Sequence, residues 1–492
     1  MKANLMFSDR DFDPTSQLCY ASDTLASDLE LRHVIEKMSN GDKVIADVSY
    51  AALFMPLESI SDIKYRQENL RDALRSPAHV RRLYDLLDET AQIQKKSNHF
   101  LSSSVSLGDS LNSAVGLLRI FADTLGNLRK FADEGIKAFA SAGFKNLFKM
   151  LQTELDDAFL NEVKNQLKEL KSQDEMLISA RLGAGNQSTG YTLRRQQHKT
   201  FLSRFKMAAT YTVKDDDTRG IADIESRRDR AVNETVSVLT QAVRYLEDFF
   251  TMLRHELAFY VGCLNLADFL TTTGAPYSFP ELLPPEREHR SWNNLYDLSL
   301  VILRGESVTG NELVADNKRL FIVTGANNGG KSTFMRSFGQ AVVMAQCGMF
   351  VGAEEFTAPV KLGIFTHFKK EEDSTMKSGK LDEEMERMSE ITDRLRKYSI
   401  VIFNEAFAST NEREGSEIHR QIVKALIEND VEVFSVSHLY TFAHAFSGEP
   451  LTQFLRAQRL EDGGRSFKVL PGEPLETAFG EDIYTELFGP QH

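Results

Sequence analysis

Residues 320–333 read Leu-Phe-Ile-Val-Thr-Gly-Ala-Asn-Asn-Gly-Gly-Lys-Ser-Thr, an apolar run leading straight into the spacing G-x-x-x-x-G-K-S. Gly325, Gly329 and Gly330 permit a backbone path tight enough for successive N–H groups to surround an anion. Lys331 is then placed to reach the β- and γ-phosphates of a nucleoside triphosphate, and the Ser332 hydroxyl to coordinate Mg²⁺. The expected ATP contacts are therefore Gly325, Asn327, Gly329, Gly330, Lys331, Ser332 and Thr333. The pattern predicts a helix over Thr333–Met344, whose N-terminal dipole adds to phosphate binding.

Two further runs end in groups that complete such chemistry. Residues 397–405, Lys-Tyr-Ser-Ile-Val-Ile-Phe-Asn-Glu, read as a buried strand ending in a carboxylate. In ATPases of the ABC class a glutamate at that position polarises the attacking water, which makes Glu405 the expected general base. The residue before it is usually an aspartate bonded to a Mg²⁺-bound water, but here it is Asn404. An amide oxygen can still accept that bond, with one negative charge fewer near the metal, so weaker Mg²⁺ binding and slow turnover are expected. Residues 431–438, Val-Glu-Val-Phe-Ser-Val-Ser-His, read as another strand, ending in a histidine placed to sense the γ-phosphate. Lys331, Glu405 and His438 are thus the expected catalytic set. Ser378 and Gly379 open a predicted helix with Met385, Met388, Ile391 and Leu395 as its buried stripe, and form a second anion-binding device. Two such devices make sense if the Ser378 loop of one subunit caps ATP held by another, so the expected active unit is a homodimer.

The elements that must position these groups are of two kinds. From about residue 286, strand-like and helical runs alternate, as expected of an α/β domain around a phosphate loop. Before it, short helical patterns cover Leu25–Met38 and Tyr65–Leu74, and the pattern from 96 to 180 is helical, with Leu111, Val115, Leu118 and Leu125 on one stripe. Gly108, Gly116, Gly126, Gly135 and Gly143 interrupt that stretch, predicting two or three helices. Val232, Val236, Leu239, Val243, Leu246, Phe250, Leu253, Leu257, Tyr260 and Leu264 then keep a heptad seam, predicting one helix of roughly 45 residues. Gly274, Pro276, Pro280, Pro284 and Pro285 mark a linker. The predicted fold class is α + α/β, with domains at 1–95 (N-terminal part of a helical core), 96–275 (helical lever and small clamp) and 276–492 (ABC-type P-loop ATPase).

The chain of 492 residues has a net charge of −13, so any nucleic-acid contact must come from a local basic patch. Residues 181–206 are such a patch. They carry no acidic residue and hold Arg181, Arg194, Arg195, Lys199, Arg204 and Lys206, with Tyr191, Phe201 and Phe205 interleaved. Arg194, Arg195, Lys199, Arg204 and Lys206 are the expected phosphate-backbone contacts; a solvated loop paired with acidic neighbours is the alternative. Cys19, Cys263 and Cys347 are too few and too scattered for a disulfide framework or a cysteine zinc site. The N-terminus lacks a signal-peptide pattern and no run approaches 18 apolar residues, so a cytoplasmic protein with no membrane partner is expected.

In its motifs the chain resembles the MutS family of DNA mismatch-repair ATPases. The likeness rests on residues 324–336 (Thr-Gly-Ala-Asn-Asn-Gly-Gly-Lys-Ser-Thr-Phe-Met-Arg) and 345–354 (Ala-Gln-Cys-Gly-Met-Phe-Val-Gly-Ala-Glu). Ile-Phe-Thr-His at 364–367, Ser-Gly-Lys-Leu at 378–381, Glu405 to Gly415, Ser437-His438 and Leu-Pro-Gly-Glu-Pro from 470 follow in family order. The resemblance implies that Asn311 contacts the nucleotide, and it leaves Val308 where an aromatic residue often stacks on adenine. It extends more weakly over residues 25–275, where Arg66 fits the start of the family core. The resemblance implies a core-plus-ATPase protein, expected to lack the family's mismatch-reading domain with its Phe-x-Glu wedge, the connector, and an endonuclease domain. The expected function is a dimeric, ATP- and Mg²⁺-dependent clamp on duplex or branched DNA, reading shape and not a mispaired base, with other repair or recombination proteins as further partners. Two alternatives remain open: a nucleotide-gated scaffold with slow hydrolysis, and an RNA- or ribosome-directed ATPase.

Overall fold

The computed structural model describes residues 1–101, 107–171, 177–186, 188–194, 217–369, 379–460 and 464–475. The chain forms two compact units, one from Met1–Asn4 with Ala78–Leu257 and one from Leu5–Pro77 with Ala258–His492. Four helices open the second unit: α1 (Ser22–Asp28), α2 (Leu31–Ser39), α3 (Lys43–Leu53) and α4 (Ile60–Arg75). The first unit is built from α5 (Pro77–Leu101), α6 (Leu107–Gly135), α7 (Ala142–Glu154) and α8 (Asp157–Lys171), the hairpin β1 (Leu177–Leu182)/β2 (Ser188–Arg194), and the first part of α9 (Thr218–Thr273).

Within the first unit, Leu111, Val115, Leu118 and Leu125 form the expected buried stripe of α6. Helix α6 runs unbroken through Gly116 and Gly126, so the glycines do not divide it as expected. A side chain at Gly116 would meet nothing within 4 Å, and a glycine in a helix costs only about 1 kcal/mol against alanine. Residues 96–180 accordingly contain the end of α5 and three further helices. Helix α9 is 56 residues long, not 45. The seam marks its apolar part from Val232 onward, while the polar first turns are held by the Arg227–Asp223 pair at 2.7 Å and by Asp217 Oδ1 accepting from the Gly220 N–H. Such turns carry no seam to read. At the other end Gly274 adopts φ 69°. Its N–H donates to Thr271 O and that of Ala275 to Leu270 O, a Schellman stop that satisfies the last carbonyls.

The second unit continues with β3 (Glu281–Leu283), β4 (His289–Leu295), α10 (Leu298–Arg304), β5 (Asn311–Asp316), β6 (Leu320–Gly325), α11 (Lys331–Gln346), β7 (Glu355–Pro359) and β8 (Ile364–Phe368). It ends with α12 (Lys380–Thr392), β9 (Ile400–Asn404), α13 (Glu412–Glu428), β10 (Glu432–Val436), α14 (Tyr440–His444), β11 (Thr452–Arg459) and β12 (Arg465–Pro471). A six-stranded sheet has the order β12-β11-β6-β10-β9-β8, parallel except for β12. A second sheet has the order β3-β7-β4-β5. Strands β6, β9 and β10 are near-continuous apolar runs because both faces of the parallel sheet are covered. On one face Phe434 stacks between Phe321 and Phe338 of α11, at 4.2 and 4.0 Å. On the other, Ile322, Val401, Phe403 and Val433 pack with Val423 and Leu426 of α13. The two sheets are tied by a buried ion triad, Glu432 Oε2 accepting from Arg290 at 2.5 Å and Lys361 at 2.6 Å. In α12, Met388 and Ile391 are buried as expected but Met385 is 41% exposed. Steps of three residues rotate around a helix by about 60° each, so Met385 leaves the face that Ile391 occupies. Leu395 lies beyond the helix end and is half-buried.

The core behind Glu405 holds a histidine with a thermodynamic consequence. His419 of α13 is fully buried, stacks on Phe442 at 3.9 Å, and meets the edge of Phe403 at 5.0 Å. Neither ring nitrogen has a hydrogen-bond partner among the described residues. Burial, reinforced by nearby His367, pushes its imidazole from 6.5 down to about 3. As pH falls below 6.5 the unfolded chain binds a proton there and the native chain does not, so stability is progressively lost toward pH 3. Between pH 7 and pH 5 this residue is expected to remove about 2 kcal/mol. Denaturant titrations at the two pH values should show that loss, and His419→Phe should remove most of it.

Candidate functional site

Three loops meet at the carboxyl ends of parallel strands β6, β9 and β10, where α/β sheets place ligands. The loop after β6 turns through Gly325 (φ 111°), Asn328 (φ 57°) and Gly330 (φ 87°). Gly330 is the N-cap of α11, so that helix begins at Lys331, two residues before the expected start. A Cβ on Gly329 would lie 2.9 Å from both Ala326 O and Ala457 Cβ, so only glycine fits there. Buried Lys331 curls back, its Nζ donating to Gly325 O and Ala326 O, each at 3.0 Å. Burial draws its ammonium below the usual lysine range, opposed by Glu405 and assisted by Arg465. The Ser332 hydroxyl donates to Asn404 Oδ1 at 3.1 Å, linking the first turn of α11 to the end of β9.

Glu405 follows β9 with φ 55°, and its Oε1 lies 2.7 Å from Nε2 of His438, two residues past β10. Because β10 lies between β6 and β9, this arrangement brings Lys331, Ser332, Asn404, Glu405 and His438 to one spot. The His438 hydrogen bond holds the Glu405 carboxyl below the usual range; burial opposes it, and Lys331 and Lys369 add to it.

Lys331, Ser332, Glu405 and His438 line one end of a cleft of about 720 Å³, a size that suits a cofactor. Asn327, Gly329, Gly330 and Thr333 line it too, while Val308, Asn311 and Tyr296 lie on the wall formed by α10 and β5. That wall is fixed to α11 through Asp297. Its Oδ1 caps α10 by accepting from Ser299 N and Leu300 N, and its Oδ2 accepts from Arg336 Nε at 2.9 Å. Asn311 is buried, its amide oxygen already accepting from Val469 N at 2.7 Å. Gly379 is the N-cap of α12; Ser378 lies outside the described residues. In the other unit, Arg194 ends β2, exposed, with Nε donating to Ser179 Oγ at 2.9 Å. Arg195, Lys199, Arg204 and Lys206 lie outside the described residues.

Residues 58–273 match the MutS2 N-terminal domain family and residues 321–458 match MutS domain V. The two matches fall in the expected order along the chain, the second across the loop and both strand ends of the cleft. The chain belongs to the MutS family. It is 24% identical over 262 residues to the DNA mismatch repair protein MutS of Lactobacillus johnsonii, covering 50% of this chain and 30% of that protein. It is 28% identical over 130 residues to Endonuclease MutS2 of Thermus thermophilus, covering 26% and 18%. With the Thermotoga neapolitana DNA mismatch repair protein MutS it shares 32% over 138 residues, covering 28% and 17%. The chain thus spans less than a third of the length of these MutS-family relatives.

Among the residues at and beside the cleft of this MutS-family chain, Phe467 and Arg465 were not singled out from its sequence. Phe467 of β12 is 50% exposed at φ 59° and lines the cleft, and a Cβ on Gly330 would sit 3.6 Å from its ring. Arg465, two residues earlier, donates from Nε to Asn327 O at 3.2 Å. Both lie where the pairing of β12 with β11 shifts register, so no regular alternation in the sequence marks which loop they meet.

Proposed function

We propose that the chain is a DNA-directed ATPase. It binds ATP in the 720 Å³ cleft and hydrolyses it with Glu405 as general base. Residues 276–492 act as the ATPase domain, 1–95 as the first part of the helical core, and 96–275 as lever and clamp. The reading is carried by one observation: Lys331, Ser332, Glu405 and His438 converge at three neighbouring strand ends, with a half-exposed aromatic ring, Phe467, on the same cleft. Bound phosphates would draw Lys331 Nζ away from the two loop carbonyls that it now satisfies. The N–H groups from Asn327 to Thr333 would surround the same oxygens. Ser332 Oγ is an oxygen donor suited to Mg²⁺ carried by the phosphates, with Asn404 Oδ1 accepting from a metal-bound water; the ion would supply charge neutralisation. Glu405 is restrained by His438 at rest. Transfer of the histidine to the γ-phosphate frees the carboxylate to take a proton from the attacking water.

Phe467 offers the aromatic face that Val308 does not. Phe467→Ala is expected to weaken ATP binding about tenfold, the value of one aromatic stack. Titration with a fluorescent ATP analogue checks this; unchanged affinity would take Phe467 out of the site. The family relation favours DNA as the polymer, with Arg194, Arg195, Lys199, Arg204 and Lys206 on its phosphates and a homodimer as the active unit, reading DNA shape and not a mispair. A second reading, a nucleotide-gated scaffold with slow hydrolysis, draws on Asn404 and on the closed Glu405–His438 pair.

A further inference from the structure

The charge balance around Asn404 departs from what a metal-dependent nucleotide site needs. Mg²⁺ is usually held through one or two carboxylates together with substrate phosphates. Here the group against the Ser332 hydroxyl is a neutral amide, its Oδ1 accepting that hydroxyl's proton at 3.1 Å. The Asn404 Nδ2 has no hydrogen-bond partner among the described residues, so an N–H donor is present where an aspartate would set a second anionic oxygen. The one carboxylate of the set, Glu405, is bonded to His438 at 2.7 Å. Two cations stand on the phosphate loop: Lys331, whose Nζ donates to Gly325 O and Ala326 O, and Arg465, whose Nε donates to Asn327 O at 3.2 Å.

We propose that this site binds the nucleotide's phosphates almost equally well with and without a divalent metal, and that Asn404 is the residue that sets this independence. The proposal rests on the ATP-binding reading and deepens it. An aspartate at 404 would repel bare phosphates at a distance of a few ångströms and make the ion a condition of binding. The amide removes that repulsion. Nucleotide occupancy and metal occupancy then become separate events, and hydrolysis, which still needs charge neutralisation, is the step the metal controls.

The test is the affinity of the full-length protein for a non-hydrolysable ATP analogue, measured by calorimetry in millimolar Mg²⁺ and again in EDTA. For the wild type the two dissociation constants should agree within about threefold. For Asn404→Asp, close in shape and able to accept from Ser332, the metal-free constant should rise about 30-fold or more while the Mg²⁺ value changes little. Asn404→Ala, which is neutral, should keep the wild-type ratio and so separates charge from shape. A wild-type ratio above about tenfold, equal ratios in wild type and Asn404→Asp, or an Asn404→Ala ratio like that of Asn404→Asp overturns the inference alone. The wild-type ratio decides even if a variant does not fold. Absence of binding in both conditions overturns the ATP-binding reading, and the inference with it.

Discussion

Glu405→Gln is expected to lower ATP turnover about a thousandfold while leaving nucleotide affinity within about threefold of wild type. The glutamine keeps the shape and an oxygen for His438 but cannot take a proton from water, so the loss falls on kcat and not on binding. A thousandfold corresponds to about 4 kcal/mol of transition-state stabilisation, within the range of a positioned general base. Steady-state phosphate release and nucleotide titration on one preparation separate the two effects. Hydrolysis within about threefold of wild type would remove Glu405 from the chemistry. The pH dependence has a defined sign. In the nucleotide-free protein His438 holds the Glu405 carboxyl below its ordinary value of 4.5, so protonation of Glu405 contributes no acid limb to kcat/KM near neutrality. In His438→Ala that restraint is gone, and any limb due to Glu405 moves to higher pH.

Neutralising Arg194, Arg195 and Lys199 together is expected to change the salt dependence of DNA binding more than any other property. Each phosphate contact contributes about 0.9 to the slope of log affinity against log salt, so three lost contacts flatten it by about 2.7. Between 50 and 200 mM salt the wild type should therefore lose about 40-fold more affinity than the variant. ATP hydrolysis without DNA should be unchanged. Fluorescence anisotropy across a salt series checks this, and an unaltered slope would place the polymer elsewhere on the protein.

The groups legible in the sequence are those whose geometry is set locally. The phosphate loop needs only a strand, a run of five residues and a helix, and all three are contiguous in the chain. Glu405 and His438 each end an apolar run, and because β9 and β10 are adjacent and parallel their ends fall side by side. Phe467 and Arg465 were not legible. They lie on β12, antiparallel to β11, and reach the loop only because β11 pairs with β6 in the sheet order. The seam of α9 announced its apolar part, but its polar start announced nothing, since charged turns on a helix and on a loop read alike. The stack of His419 on Phe442 was hidden for a related reason: a lone histidine in an amphipathic helix gives no sign of what lies opposite it.

The account's central claim is tested most directly by steady-state ATP hydrolysis of the purified protein, alone and with duplex, mismatched, branched and single-stranded DNA. Basal hydrolysis stimulated by duplex or branched DNA, with no added response to a mismatch, is the predicted result. Hydrolysis indifferent to every DNA would contradict the account and point to the nucleotide-gated scaffold or to an RNA substrate.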